Sequence, residues 1–485
     1  MSTPLYRHVA DQIAADIRAG VYIQGQKIPS VRKICAQFSV SHATAAQACG
    51  VLEDEGYVKA KPQSGYFVRS EAAEPDIRPP VSEMLPPATF NRLALLNQLL
   101  SITGQRDWTQ LGAAIPDKEF LPTRSLQQHI AKVARFNISD SVDYQFSPGN
   151  RELRRSITIR MRDNNIQCHY DELIITQGCQ EALALALQTV CTKGDLVAVE
   201  SPCYYGLLQL LDSLGMQIIE IPTDVCTGVS IPALKMALEQ WPVKACVLSS
   251  RYSNPTGACT SNDDKKQIVK LLREFDIPLI EDDVFGDLSH DPGSSTTFKS
   301  HDQGGRVLYC SSFSKTVGAG LRIGWCAPGK YYHQYRTLHQ FTTFGGPGLP
   351  QQALASYLHQ GGYDKHLRKI SHAYAENLQI FQWAVQRYFP KGTTYSQPSG
   401  SFLLWVVLPE GADGLTLYRQ ACEFKISVMP GPIFSTTNQF NRCIRINCAR
   451  QWSRELEEVM AKLGELVYDQ LRNAIQLQCS KTAVG

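Results

Sequence analysis

Ser311-Ser312-Phe313-Ser314-Lys315-Thr316-Val317-Gly318-Ala319-Gly320-Leu321-Arg322-Ile323-Gly324-Trp325 is the stretch on which the fold turns. The run Arg306 to Tyr309 before it predicts a buried strand, so Lys315 stands among small residues just past a strand end. A lysine in that place can form an imine with a carbonyl compound. Ser312, Ser314 and Arg322 can hold a phosphate, the arginine through its bidentate fork. Ser-x-Ser-Lys by itself says little, because a lysine at a strand end is ordinarily just solvated. The arginine and the glycines make the pattern specific.

Working outward, four more segments supply matching parts. Ile280-Glu281-Asp282-Asp283-Val284-Phe285 sets carboxylates at the C-terminal end of a strand, where ligands sit in open α/β sheets. One carboxylate there can keep a pyridine nitrogen protonated. Ser253-Asn254-Pro255-Thr256-Gly257 offers an amide to a ring hydroxyl. Thr176-Gln177-Gly178-Cys179-Gln180-Glu181 follows a strand and opens a helix, which makes an anion site. Ser201-Pro202-Cys203-Tyr204-Tyr205-Gly206 can lay an aromatic ring over a pyridine. Each has a plain structural reading as well: Asn-Pro-x-Gly is a common turn, Gly178 a tight bend, Tyr204 a core residue. Five such coincidences in the right order are improbable, and together the segments fit pyridoxal 5'-phosphate.

The strands carrying these segments alternate with helix-period stretches. Leu173 to Thr176, Leu196 to Val199, Ala245 to Ser249, Pro278 to Glu281 and Arg306 to Tyr309 predict an α/β body with a mostly parallel sheet. Phe402 to Leu408 and Cys443 to Asn447 read as strands, and Trp452 to Gln476 as a long helix. These predict a smaller α+β lobe over about 370–485.

With 485 residues, 43% apolar and 19% charged, the chain is long enough for about three domains and is not a disordered polyelectrolyte. Its longest apolar runs fall short of the ~20 residues of a membrane-spanning helix. The N-terminus has no signal-peptide core, so the expected location is cytoplasmic. Fifteen scattered cysteines without a Cys-x-x-Cys pair exclude a zinc ribbon and predict reduced thiols; no metal site is expected.

The net charge of +3 has an origin: residues 1–70 hold eight basic against five acidic side chains, so the excess sits there. That is the footprint of a phosphate-binding head. Pro75, Pro79, Pro80, Pro86 and Pro87 predict a stiff linker over 71–89. Within the head, Leu5, Val9, Ile13 and Ile17 form one helical stripe ended by Gly20. Ser30 and Ser41 are expected N-caps of two further helices, the second closed by Gly56. Tyr57 to Lys61 and Tyr66 to Val68 read as a hairpin. By helix pattern alone this is either a winged helix-turn-helix or a three-helix interaction module. Ser41, His42, Thr44 and Gln47 at the start of the third helix suit base edges and phosphates, and Lys59, Lys61, Gln63 and Gly65 suit a wing against a groove.

Gln26-Lys27-Ile28-Pro29-Ser30-Val31-Arg32, Val40-Ser41-His42-Ala43-Thr44 and Gly65-Tyr66-Phe67-Val68 resemble the head of GntR-type regulators. The resemblance implies a phosphate contact from Arg32 and DNA contacts from Ser30, Ser41, His42, Thr44, Gln47, Lys61, Gln63, Ser64 and Gly65. His42 stands where that family often carries arginine. The body resembles fold type I aminotransferases of the aminoadipate/kynurenine branch. This implies Lys315 as the Schiff-base lysine, Asp282 on the ring nitrogen, Asn254 on the ring hydroxyl and Tyr204 over the ring. It also implies a phosphate cup of Gly178, Cys179, Gln180, Ser312, Ser314 and Arg322, with Arg445 clamping a substrate carboxylate. Two departures stand out: Phe285 where tyrosine is common, and Cys179 where serine is frequent.

Head, linker and body in this order resemble the MocR regulators. That implies a transcription factor on double-stranded operator DNA that binds pyridoxal 5'-phosphate, senses an amino compound or the cofactor, and forms a head-to-tail homodimer. The alternative is a working aminotransferase acting on amino acids, favoured by Lys315, Asp282 and Arg445 and opposed by Phe285.

Overall fold

Short hydroxyl side chains start the helices of the N-terminal head. After α1 (Leu5–Arg18), Ser30 Oγ accepts from the Lys33 amide at 3.4 Å and opens α2 (Val31–Phe38). Ser41 Oγ accepts from the Thr44 amide at 3.2 Å and opens α3 (His42–Asp54). Each bond satisfies an amide that helical pairing leaves without a partner. Gly56, at φ 78°, ends α3 and lets the Tyr57 amide reach back to the Leu52 carbonyl at 2.8 Å. Val9, Ala10, Ile13 and Ala14 of α1 close the core against Ile34, Ala45, Ala48, Cys49 and Leu52. Leu5 lies outside that core, 59% exposed: the buried face runs through 6, 9, 10, 13, 14 and 17, and Leu5 falls at its edge.

The wing pairs β1 (Val58–Lys61) with β2 (Gly65–Val68) antiparallel, and Glu53 Oε1 accepts from the Ala60 amide at 2.7 Å, pinning the wing to α3. The computed structural model describes residues 4–18, 21–22, 26–61, 65–68, 84–90, 92–102, 105, 107–291 and 296–482. Gly20, Gln63, Ser64, the Lys61 side chain and linker residues 71–83 lie outside the described residues. The linker's last residues rest on the body, where Ala88 and Ile218 exchange backbone hydrogen bonds of 2.9 and 3.0 Å.

Among the described residues, eight strands make the body's sheet: β3 (Ile174–Thr176), β4 (Leu196–Ser201), β5 (Gln217–Asp224), β6 (Gly228–Val229), β7 (Val243–Leu248), β8 (Leu279–Asp282), β9 (Val307–Ser312) and β10 (Gly324–Ala327). Their order is β3-β10-β9-β8-β7-β4-β5-β6. The five from β9 to β5 are mutually parallel, β10 runs against both its neighbours, and β6 against β5. Alternation sends Val197 and Val199 into one core and Leu196 and Ala198 into another, so both faces of the sheet are buried. Because β3, β4, β7, β8 and β9 all point the same way, the segments that follow them emerge at one edge. That edge is where an open α/β sheet places its ligand.

A smaller sheet of β11 (Thr394–Tyr395), β12 (Leu403–Val407), β13 (Met429–Pro430) and β14 (Cys443–Asn447) has the order β11-β12-β14-β13. On β14, Ile444 and Ile446 enter the lobe's core, while Arg445 and Asn447 reach the opposite way onto segment 112–115. Two helices, Gly362–Tyr388 and Arg454–Thr482, pack together beside it. No disulfide joins the described cysteines, and no described helix is long and apolar enough to cross a membrane.

Candidate functional site

Residues following five strand ends converge on one cavity of about 580 Å³, within the ~300–1,000 Å³ usual for small-molecule sites. Its described lining includes Cys179, Gln180, Tyr204, Asn254, Asp282, Phe285, Ser312, Ser314, Lys315 and Arg322.

Lys315 sits in a single π-helical turn, Ser314–Gly318, directly after β9. Its Nζ donates to the Ala114 carbonyl at 2.8 Å and lies 5.7 Å from the centre of the Phe285 ring. Burial, and then the nearby Arg445 charge, lower its pKa from 10.5 to about 8, with Asp282 pulling the other way. An amine tuned in this direction is an available nucleophile near neutral pH.

Asp282 closes β8. Its Oδ1 accepts from the Cys179 thiol at 3.4 Å and from the Val284 amide at 3.3 Å. Burial lifts its pKa from 3.8 to about 6. Behind it Asp283 faces away and is gripped by Arg251 Nε at 3.0 Å, by a second Arg251 nitrogen, and by the Tyr309 hydroxyl at 2.6 Å. The two adjacent aspartates thus do different work: Asp283 is neutralised in the core, and Asp282 is left to the cavity.

The anion cup is built on missing atoms. Gly178, at φ 93°, precedes the helix α4 (Cys179–Val190), and a Cβ there would stand 2.7 Å from Arg322 Nη2. Arg322 Nη2 donates to the Gln177 carbonyl at 2.7 Å, which draws the guanidinium across the helix start. Helix amides, guanidinium and the hydroxyls of Ser312 and Ser314 form a donor set for a dianion. Gln180 does less than expected for a phosphate, since its Nε2 is bonded to the Gly206 carbonyl at 2.9 Å. Tyr204 caps the helix α5 (Tyr205–Ser213), its ring tilted against Tyr205 at 5.0 Å. Gly206 lacks the Cβ that would strike that ring at 2.4 Å.

Arg445 does not line the cavity. It is fully buried behind Asn254, donating to Asn254 Oδ1 at 2.7 Å and to the Gly112 carbonyl, with its Nε left without an acceptor. Burial lowers its pKa.

Sequence reasoning missed the segment around Gly112, Ala113 and Ala114, whose hydrogen bonds to Lys315 and Arg445 are made through carbonyls and so carried no side-chain signal. It also missed Arg251, where a charged residue three positions past a buried strand was the available clue, and Glu200. Glu200, at the end of β4, accepts from Ser249 at 3.0 Å, and burial raises its pKa to about 8.

In the head, Arg32, His42 and Gln47 are exposed, while the hydroxyls of Ser41 and Thr44 bond each other at 2.8 Å. Gly65 has φ 103°, and Lys27 lies over it: a Cβ there would meet Lys27 Cε at 3.1 Å.

Residues 5–68 match the gntR family of bacterial regulatory proteins, and residues 108–463 match aminotransferase class I and II. Among solved structures, the kynurenine aminotransferase of Pyrococcus horikoshii is similar, with TM-score 0.72 and 25% identity over 79% of this chain and 97% of that one. The molecule is therefore a GntR-type helix-turn-helix head joined to an aminotransferase-like body. The HTH-type transcriptional regulators YjiR and YdcR of Escherichia coli share that layout end to end. YjiR is 37% identical over 96% of this chain and 98% of its own, and YdcR 35% over 96% and 99%. The chain belongs to the MocR subfamily of GntR transcriptional regulators.

Proposed function

We propose that this regulator binds pyridoxal 5'-phosphate through Lys315, senses an amino compound in the same cavity, and passes the signal to DNA. The observation that carries the reading is the convergence on one cavity of a buried, pKa-lowered lysine, a carboxylate and a glycine-floored cationic cup. That donor set fits the cofactor: Lys315 for its aldehyde, Asp282 for its ring nitrogen, Asn254 for its hydroxyl, Tyr204 for its face. Gly178, Cys179, Ser312, Ser314 and Arg322 suit its phosphate, with Gln180 at the rim. When bound, the cofactor supplies a carbonyl that captures amines and a ring that withdraws electrons. Arg445 is the group for an effector carboxylate, and Phe285, which has no hydroxyl to offer the ring, favours sensing over rapid turnover. Borohydride treatment followed by mass spectrometry tests this: Lys315 should carry the cofactor's mass, and an unmodified Lys315 after incubation with cofactor would refute the reading.

DNA is read by the head (1–70), with Ser30, Arg32 and the wing residues Lys61, Gln63, Ser64 and Gly65 at the backbone, and Ser41, His42, Thr44 and Gln47 at the third helix's entry to the major groove. A linker (71–89) joins it to the body (90–485). The protein is proposed to be cytoplasmic and to form a head-to-tail homodimer; association itself is supported by an apolar face. Phe136, Val142, Tyr144 and Phe146, with Phe341 and Phe344 brought beside them by pairing of 145–146 with 345–346, are all exposed. Apolar surface gathered in this way marks an association site.

A further inference from the structure

Only part of the cavity is polar. Lys315, Asp282, Asn254 and the cup account for much of its charged and polar lining. The helix Leu93–Ile102 contributes Leu96 and Leu100, four residues apart and hence on one face. Ile115, Leu183 and Leu210 line the cavity with them. The cations among the described lining residues are all committed: Lys315 and Arg322 to the proposed cofactor, and Arg251 to Asp283. Gln209 adds a neutral amide rather than a charge.

We propose that the effector is an α-amino acid with a large apolar side chain, which lodges among Leu96, Leu100, Ile115, Leu183 and Leu210. The proposal rests on the reading of this cavity as the cofactor and effector site. The α-carboxylate is assigned to Arg445, behind Asn254, whereas a second carboxylate on the side chain would lose water against aliphatic side chains, with no uncommitted cation among the described lining residues to receive it. A hydrocarbon or aromatic group removes apolar surface from water on both sides at once. Ile115 and Leu100, 49% and 46% exposed, leave room for a side chain of some length before solvent is reached.

The test is an equilibrium titration of the cofactor-loaded, full-length protein with leucine, phenylalanine, alanine and glutamate. It is followed by the cofactor's visible absorption and, independently, by thermal stability. Leucine and phenylalanine should bind at least roughly tenfold more tightly than alanine, with glutamate weakest. Leu100→Arg, at a position open enough to accept the longer side chain, should weaken leucine and strengthen glutamate. The wild-type series decides the point even if that variant fails to fold. Glutamate or alanine binding as tightly as leucine would overturn the inference and leave the proposed function standing. No spectral or thermal response to any amino acid, in protein that demonstrably holds the cofactor, would overturn both.

Discussion

Arg445 donates to Oδ1 of Asn254 at 2.7 Å while its Nε–H is buried without an acceptor. Although Tyr205 and the Phe434 ring, 5.2 Å away, also contact the guanidinium, no carboxylate pairs with it, and an incoming one is its better partner. Asn254 is also the residue proposed to touch the cofactor, so the two ligands share a hinge of one hydrogen bond. Arg445→Ala is expected to leave the protein yellow and basal DNA binding intact, while weakening amino-acid binding roughly 30-fold or more. Titration of the chromophore checks this; an unchanged response would place the carboxylate elsewhere.

Lys315 sets a pH dependence. Only the neutral amine attacks a carbonyl, so uptake of pyridoxal phosphate by cofactor-free protein should accelerate with pH, with a midpoint near the pKa of about 8, and then level off. By linkage, cofactor-free protein should gain stability as pH rises from about 8 toward the ordinary 10.5, because the unfolded chain holds the extra proton in that window. Stopped-flow uptake at a series of pH values reads the midpoint directly. A value near 10.5 would mean that the lysine is not tuned by its surroundings. Lys315→Ala should abolish the reducible adduct and keep weak, non-covalent binding.

Gly178 is a position in the cup where a methyl group is poorly accommodated. Alanine there must adopt φ 93° and approach Arg322 Nη2 to 2.7 Å. The backbone strain is worth about 1–3 kcal/mol, and displacement of the guanidinium opens the cup. Gly178→Ala should lower the melting temperature and cut affinity for inorganic phosphate and cofactor together. Alanine at Gln180, two positions on, whose amide is spent on Gly206, should cost much less.

Most of the sheet was legible because β-branched runs bounded by turn residues alternate with helical stretches, and the strands lie within a few residues of their expected ends. Cys443 to Asn447 agrees at both ends. The motif residues were legible because parallel strands deliver whatever follows them to a single edge. What the sequence hid is tertiary. Arg445 reads as a clamp for a substrate carboxylate facing the cofactor, yet its strand carries it behind Asn254 into full burial, off the cavity lining. The latch between the lobes is equally silent in the sequence: Glu220 on β5 receives Ser435, with Thr436 at 2.7 Å, across 215 positions. Leu5 fits its helical stripe and is still exposed, since periodicity marks a face and not where that face ends.

In the head, Arg32 is exposed and its proposed partner is a phosphate. Arg32→Ala should weaken binding to every DNA sequence alike and reduce the slope of log K against log salt by about 1. Fluorescence anisotropy on specific and random duplexes at several salt concentrations separates this from base reading. A loss confined to the specific duplex would show that Arg32 reads bases.

The central claim is that one ligand event in the body changes DNA affinity. The direct measurement is a titration of cofactor-loaded protein with an amino acid that perturbs the chromophore, performed with and without operator DNA. Linkage requires the factor by which DNA shifts the amino acid's affinity to equal the factor by which the amino acid shifts DNA affinity, and such couplings are typically about 5–150-fold. The account predicts a shift in that range, equal in both directions and absent in Arg445→Ala. Identical affinities with and without DNA, for a ligand that plainly binds at the cofactor, would contradict it.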